Sequence, residues 1–283
     1  MADNITLTSG MRSNLWSLQK TSNLTELTQT RLATGKRVQT ALDDPVKFFA
    51  AQGHQQRAMD LSARKADMGE AIQLIKAADS GIESVSSLIE SAKSLAQAAL
   101  SAESTTALNT LETQYQNLVS QIDDLAADSG YKGINLLAGT TETLDVKFDE
   151  TGDSKITLTG FLADSSGDGL SLDVVTANQW NSTTTAGTAD RAEIATAIAA
   201  LDDAKTTLRS EASKLANNLT TITTRQDFTQ NMINILEDGA AKLTDADMNE
   251  EGANMLMLQT RQSLGINSLS MASQAAQQVL RLF

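Results

Sequence analysis

A seven-residue repeat of apolar side chains in the first third of the chain constrains its fold more than any other feature. One series of the repeat is Met68, Ile75, Ile82, Ile89 and Ala96, and a second series, three positions later, is Ala71, Ala78, Val85, Ala92 and Ala99. A sustained alternation of three- and four-residue spacings predicts a helix that packs against other helices along its whole length. A helix over about 66–100 would be roughly 50 Å long.

Two further segments repeat this pattern. The first seam is Leu108, Leu111, Tyr115, Leu118, Ile122 and Leu125, and the second is Ile194, Leu201, Leu208, Leu215, Ile222 and Leu236, broken only by Thr229. A turn at residues 101–106 would place the helix over about 66–100 antiparallel to the helix that contains Leu108 to Leu125. Pro45 is the only proline of the chain, so long helices need not be interrupted. These seams predict an antiparallel helical bundle.

The segment at about 139–182 has a different pattern. Residues 144–148 and 156–159 alternate apolar and polar side chains, and a glycine-containing turn lies between them. This alternation predicts a β-hairpin. Residues 170–175 follow another glycine turn and are compatible with a third strand. We therefore expect a small β insert within the bundle.

Composition excludes several classes of function. The chain has no cysteine and a single histidine, His54, which removes thiol catalysis, disulfides and cysteine or histidine metal clusters. Two aspartate-rich stretches, from Asp164 and from Asp245, begin like calcium loops, but Val175 and Leu256 stand where a bidentate glutamate is needed. Capping of a helix explains Asp247 better. We predict no enzymatic activity, no cofactor and no metal site.

The charge of the chain is distributed unevenly. Residues 1–40 carry five basic and two acidic side chains, and residues 248–283 carry two of each. Because the total is −13, the segment between them carries −16. Such an acidic body opposes binding to nucleic acid. Residues 1–4 do not begin a cleavable signal peptide, and no apolar run approaches the roughly 20 residues of a membrane span, so we expect no membrane partner.

The two ends of the chain are apolar on one face and neutral on the other. Their outer faces carry mostly Ser, Thr, Asn and Gln, whereas a helix that faces water usually carries charges. A neutral face can pack against copies of itself without like-charge repulsion. We expect the ends to pair with each other and to form a polymerisation core that includes Met11, Leu15, Leu18, Leu27, Leu32, Met255, Leu258, Leu269, Ala272, Ala276, Val279 and Phe283.

The predicted fold is therefore mainly α: an elongated antiparallel helical bundle with paired N- and C-terminal helices and a small β-hairpin insert. Residues 1–32 and 248–283 are the paired terminal helices. Residues 33–55 form a spoke, or linker. Residues 56–247 form the bundle, with the insert at about 139–182.

Four blocks of the sequence resemble the bacterial flagellins. They are residues 31–38 (RLATGKRV) followed by 41–44 (ALDD), residues 131–137 (YKGINLL), residues 243–248 (LTDADM) and residues 273–283 (SQAAQQVLRLF). The resemblance assigns Arg31, Gly35, Arg37, Asp43, Asp44 and Pro45 to the spoke. Pro45 departs from the commonest family pattern, so we expect a kink there.

The resemblance implies a structural subunit that polymerises into the bacterial flagellar filament used for swimming. It implies export through the flagellar type III apparatus to an extracellular filament, whose core the terminal helices line. The implied partners are the chain itself, alone or mixed with other flagellins, an export chaperone on the C-terminal helix, and the filament cap and hook-junction proteins. The alternatives are a hook–filament junction protein and an intracellular coiled-coil scaffold; the scaffold would need charged residues beside its seams, which are largely Ser, Ala and Gln.

The resemblance also places a receptor-facing stretch on the first long helix. Toll-like receptor 5 recognises an arginine-bearing stretch there in many flagellins. The matching positions here are Ser91, Lys93, Ser94 and Leu95. Lysine lacks the planar fork of donors that arginine presents, so we expect weak recognition by this receptor.

Overall fold

The computed structural model describes residues 9–172, 179–180 and 189–280. Its elements, in chain order, are α1 (Ser9–Thr34), α2 (Pro45–Leu100), α3 (Thr105–Asp128), β1 (Thr143–Lys147), β2 (Lys155–Thr159), α4 (Ala189–Thr244) and α5 (Met248–Leu280). The predicted mainly helical fold with a small hairpin is confirmed. In the part of the chain described here, none of the helices has the length and apolar character needed to cross a bilayer.

The chain divides into two compact units. One unit combines the N-terminal part of the chain through Gln56 with the C-terminal part from Ile235 onward; we call it the terminal unit. The other runs over Arg57–Asn234 and is called the bundle unit.

The bundle unit is built on the predicted seams. All ten positions of the repeat in α2 are buried, and they share one core with α3, α4 and the insert. Helices α2 and α4 are antiparallel, since Lys93 contacts Asp202 while Lys65, nearer the start of α2, donates to Gln230, nearer the end of α4. Thr229, which interrupts the apolar repeat of α4, is also buried. The seam therefore tolerates a threonine without a change of register.

The hairpin is confirmed, and the third strand is not found in the described residues. Strands β1 and β2 are antiparallel, with Thr143 opposite Thr159, and each buries one apolar side chain, Val146 or Leu158. Residues 170–172 form no strand, and the amide of Leu170 donates instead to the carbonyl of Asp164, six residues earlier. Residues 173–175 lie outside the described residues.

Helix α2 begins far earlier than its repeat predicts. Pro45 is the first residue of the helix, where its missing N–H costs nothing. The side chain of Asp44 accepts a hydrogen bond of 3.1 Å from the amide of Lys47, as a capping residue does. Residues 45–55, which we expected to be linker, are thus helical, and Pro45 starts the helix instead of kinking it. The non-helical connection is residues 35–44.

Candidate assembly surface on the terminal helices

Helices α1 and α5 pair in antiparallel orientation within the terminal unit, as predicted. Near one end of the pair, Nδ2 of Asn14 donates to Oγ of Ser268 over 3.3 Å. Near the other end, Nη1 of Arg31 lies 3.0 Å from Oε1 of Glu251. These two polar contacts set the position of α1 along α5.

The face of α1 that meets α5 contains threonines as well as predicted apolar residues. The least exposed positions are Met11, Thr21 and Thr28, and the two threonines are only 3% and 6% exposed. The hydroxyl of Thr21 donates to the carbonyl of Ser17 over 2.9 Å, which leaves its methyl group free to pack. Leu18 and Leu32 are half-buried, whereas the predicted core residues Leu15 and Leu27 are exposed. Leu15 and Leu27 therefore do not contribute to the seam between α1 and α5 within one subunit.

The seam of α5 follows its predicted spacing. Leu258 is buried, and the other described seam side chains are half-buried: Met255, Leu269, Ala272 and Ala276. Gly265 lies directly against Leu18, since a Cβ added at Gly265 would meet the Cδ2 atom of Leu18 at 2.6 Å. Glycine thus lets the two helices approach closely. The side chain of Val279 and the whole of Phe283 fall outside the described residues.

Large apolar side chains remain exposed on the outside of this pair. Helix α5 carries a stripe at seven-residue intervals, Met257, Leu264 and Met271, whose side chains are 50%, 64% and 65% exposed; we call it the α5 stripe. Leu256 and Ile266 on α5 and Trp16, Leu24 and Leu27 on α1 are exposed as well. The α5 stripe was missed at the sequence level, because apolar residues lie all around α5.

The 35–44 connection is held to the turn between α4 and α5. The amides of Arg37 and Val38 donate to the carbonyl of Thr244 over 2.7 and 3.1 Å, and the amide of Ala246 donates to the carbonyl of Gly35 over 2.9 Å. Gly35 has a φ of 71°, a left-handed conformation that follows the end of α1.

Two carboxylates organise the rest of this connection. The backbone amides of Thr40 and Gln39 donate to Asp43 and lower the pKa of its carboxyl. The backbone amide and ammonium of Lys47 lower the pKa of Asp44 in the same way. Most of the predicted spoke residues therefore shape the backbone: Gly35, Arg37, Asp43, Asp44 and Pro45. The remaining one, Arg31, joins α1 to α5.

The receptor-facing stretch lies on α2 within the bundle unit. Ser91 and Ser94 are exposed and Leu95 is half-buried. The ammonium of Lys93 is 2.5 Å from Oδ1 of Asp202, so this cation is already paired within the chain.

The aspartates weighed as calcium ligands serve the backbone instead. Oδ1 of Asp247 accepts hydrogen bonds of 2.9 and 3.2 Å from the amides of Asn249 and Glu250 and thereby caps α5. Oδ1 of Asp164 accepts from the amide and hydroxyl of Ser166. Among the described residues, no cluster of three or more acidic or histidine side chains is arranged to hold a metal ion.

Two protein-family models match the chain. The model of the bacterial flagellin N-terminal helical region matches residues 7–142, and that of the C-terminal helical region matches residues 196–283. A crystal structure of Bacillus cereus flagellin aligns with a TM-score of 0.45 and 20% identity, over 58% of this chain and 88% of that one.

Curated relatives align over nearly the whole length of both chains. Flagellin FljO of Caulobacter vibrioides is 27% identical over 99% of this chain and 98% of its own. A flagellin of Brucella melitensis is 28% identical, and flagellin C of Rhizobium meliloti is 25% identical, each over 95% of both chains. These matches do not favour a hook–filament junction protein. With the two family models covering most of its residues, this chain belongs to the bacterial flagellin family.

Proposed function

We propose that the chain polymerises into the flagellar filament through its paired terminal helices, residues 1–32 and 248–283, which pack against the same helices of neighbouring subunits. The observation that supports this is the set of large apolar side chains on the outside of the α1/α5 pair. Contiguous exposed apolar surface on a water-soluble domain marks an interaction site. Burying what remains exposed of each such side chain would contribute about 1 kcal/mol.

The charges of this pair support the same proposal. Residues 248–280 contain only three charged side chains, Glu250, Glu251 and Arg261, and Glu251 is already paired with Arg31. Few ions of α5 must therefore lose water when other subunits cover that helix. A second copy of α5, which has the same composition, can meet this surface with little repulsion between like charges.

A second exposed apolar strip supports a further contact between subunits. Leu42, Val46 and Phe49 are all largely exposed in the terminal unit. Val46 and Phe49 lie on the first turns of α2, three residues apart, and so share one face of that helix. We assign this strip to a second subunit–subunit contact in the filament.

The same exposed surface requires protection before assembly. An unassembled subunit shows the α5 stripe to water, so an export chaperone that covers α5 would keep subunits apart until export. The filament cap and the hook-junction proteins would present the first partner surfaces to an exported subunit. The assembled filament lies outside the cell, alone or mixed with other flagellins.

Weak recognition by Toll-like receptor 5 is also part of this proposal. The only cation of the stretch, Lys93, is engaged by Asp202, and Ser91 and Ser94 offer no charge. A reporter-cell assay that compares this protein with a strongly stimulatory flagellin tests the idea, and equal stimulation would contradict it.

The test of assembly is a truncation that removes residues 269–283. We expect the truncated protein to stay helical by circular dichroism and to form no filaments in electron micrographs. A point variant tests the surface more finely: Leu264→Asp places a charge on the α5 stripe and should block assembly. Gln73→Asp adds the same charge at an exposed polar position of α2 and serves as the control. Filaments from the truncation or from Leu264→Asp would refute the proposal.

A further inference from the structure

We propose that Met257 and Met271 are oxidation sites through which peroxides stop an unassembled subunit from polymerising. The proposal rests on the assembly function proposed above. Both residues lie on the α5 stripe, on either side of Leu264, with at least half of each side chain exposed. Two of the three side chains of the stripe therefore present an accessible thioether to solvent.

Methionine supplies all the sulfur of this chain, which has nine methionines and no cysteine. The methionines differ sharply in exposure. Met68 is fully buried in the bundle unit and Met11 is buried in the α1/α5 seam, whereas Met59, Met248, Met257 and Met271 are exposed. Since access of the oxidant controls the rate of methionine oxidation, these four residues should react before Met11 and Met68, within the part of the chain that the structure describes.

The reaction is an oxygen transfer. The thioether sulfur attacks one oxygen of hydrogen peroxide, the O–O bond breaks, and an S–O bond forms. Sulfur loses two electrons, and the other oxygen of the peroxide leaves as water after proton transfer. The product is methionine sulfoxide, whose polar oxygen replaces part of an apolar surface.

The position of the sulfoxides decides their effect. At seven-residue intervals on a helix, neighbouring members of the stripe lie about 10 Å apart along one line. Oxidation at Met257 and Met271 would place a strong hydrogen-bond acceptor on each side of Leu264, where packing requires the removal of water. Met59 lies in the bundle unit and Met248 at the first residue of α5, so their oxidation leaves the stripe apolar.

The experiment treats purified subunits with hydrogen peroxide, maps the sulfoxides by peptide mass spectrometry, and measures the critical concentration for polymerisation. Four proteins are compared: the parent, M257L/M271L, the control M59L/M248L, and M257Q/M271Q as a permanent polar mimic. We expect oxidation to raise the critical concentration of the parent and of the control at least tenfold. The M257L/M271L variant should assemble as well as the untreated parent before and after treatment, since leucine keeps the volume and the apolar surface.

Two further readouts separate this proposal from the proposed function. Treatment with methionine sulfoxide reductases should restore assembly of the oxidised parent. In preformed filaments, Met257 and Met271 should oxidise at least tenfold more slowly than in free subunits. The inference is overturned if oxidised parent assembles normally or if M257L/M271L is equally sensitive. Failure of the untreated parent to form filaments would refute the assembly function itself.

Discussion

Arg31 on α1 and Glu251 on α5 form a buried ion pair that is only partly satisfied. Nη1 of Arg31 donates to Oε1 of Glu251 over 3.0 Å, and the Glu251 side chain is 7% exposed. Nε of Arg31 and Oε2 of Glu251 are buried without a hydrogen-bond partner among the described residues. The pair therefore fixes the register of the two helices at a cost in desolvation.

Replacing Arg31 should loosen the α1/α5 pair. Arg31→Ala leaves the carboxylate of Glu251 buried and unpaired, so we expect a loss of about 2 kcal/mol in the free energy of opening the pair, below the usual range for a buried ion pair because Arg31 is partly exposed. Amide hydrogen exchange over α1 and α5 measures this change. Lys214→Ala breaks the exposed Lys214–Glu211 pair and should have almost no effect. Unchanged exchange in Arg31→Ala would show that the ion pair does not hold the helices together.

A glycine in α2 packs tightly against the connection that follows α3. A Cβ at Gly81 would lie 2.7 Å from both Cβ of Ser129 and Cδ1 of Leu137. Gly81→Ala should therefore destabilise the bundle unit by about 1–3 kcal/mol through overpacking, measured by denaturant unfolding of the subunit.

Another glycine of the same helix is the matched control for that variant. Gly53 has open space around its Cα, so Gly53→Ala should add about 0.5–1 kcal/mol of helix stability. If the two variants changed stability by the same amount, the close packing at Gly81 would have no energetic consequence.

The contact between Glu70 and Lys132 should make the stability of the bundle unit depend on pH at both low and high pH. Hydrogen bonds from the ammonium of Lys132 and the hydroxyl of Tyr131 lower the pKa of Glu70 below its ordinary 4.5. The hydrogen bond to Glu70 raises the pKa of Lys132 above its ordinary 10.5. The stability that Glu70 contributes is present above pH 4.5 and is lost as the pH falls through its folded pKa. The contribution of Lys132 is present below pH 10.5 and is lost as the pH rises through its folded pKa.

The variant Glu70→Gln tests this dependence. The difference in unfolding midpoint between the parent and Glu70→Gln should be small, because both groups are exposed, and constant between about pH 5 and 10. It should shrink on either side of that range. Lys132→Met should give the same two-sided profile. A difference that persists at pH 3 would show that the contact acts through something other than charge.

The seams of the bundle unit could be predicted because every position of the α2 repeat is apolar. The seam of α1 could not, because buried threonines look polar in a sequence. The hydroxyl of Thr21 donates to the carbonyl of Ser17, and only its methyl group packs. Thr229 is likewise buried at a seam position of α4. A pattern that counts threonine as polar therefore omits Thr21 and Thr28, the two threonines buried in the seam of α1.

Two other features could be identified only from the folded structure. The start of α2 at Pro45 depends on the cap at Asp44, since a repeat shows where a helix packs and not where it begins. On α5, apolar residues occupy most of the circumference, so spacing alone could not say which of them face α1. The adjacent residues Met257 and Leu258 illustrate the division: Leu258 is buried in the seam, whereas Met257 is exposed on the surface that is left for other subunits.

Assembly should accelerate with moderate salt. The segment between the terminal helices carries −16, and polymerisation brings these acidic segments of neighbouring subunits together, so their mutual repulsion opposes addition of each subunit. Raising ionic strength from about 0.01 M to 0.15 M shortens the Debye length from about 30 Å to about 8 Å. The apolar attraction of the α5 stripe does not weaken under these conditions.

Light scattering at fixed subunit concentration should therefore show that the rate of elongation rises several-fold over this range of ionic strength. A variant with Glu83, Asp203 and Asp227 changed to the neutral amides should depend less on salt. Elongation that is fastest at the lowest ionic strength would mean that attraction between unlike charges, instead of burial of apolar surface, drives the subunits together.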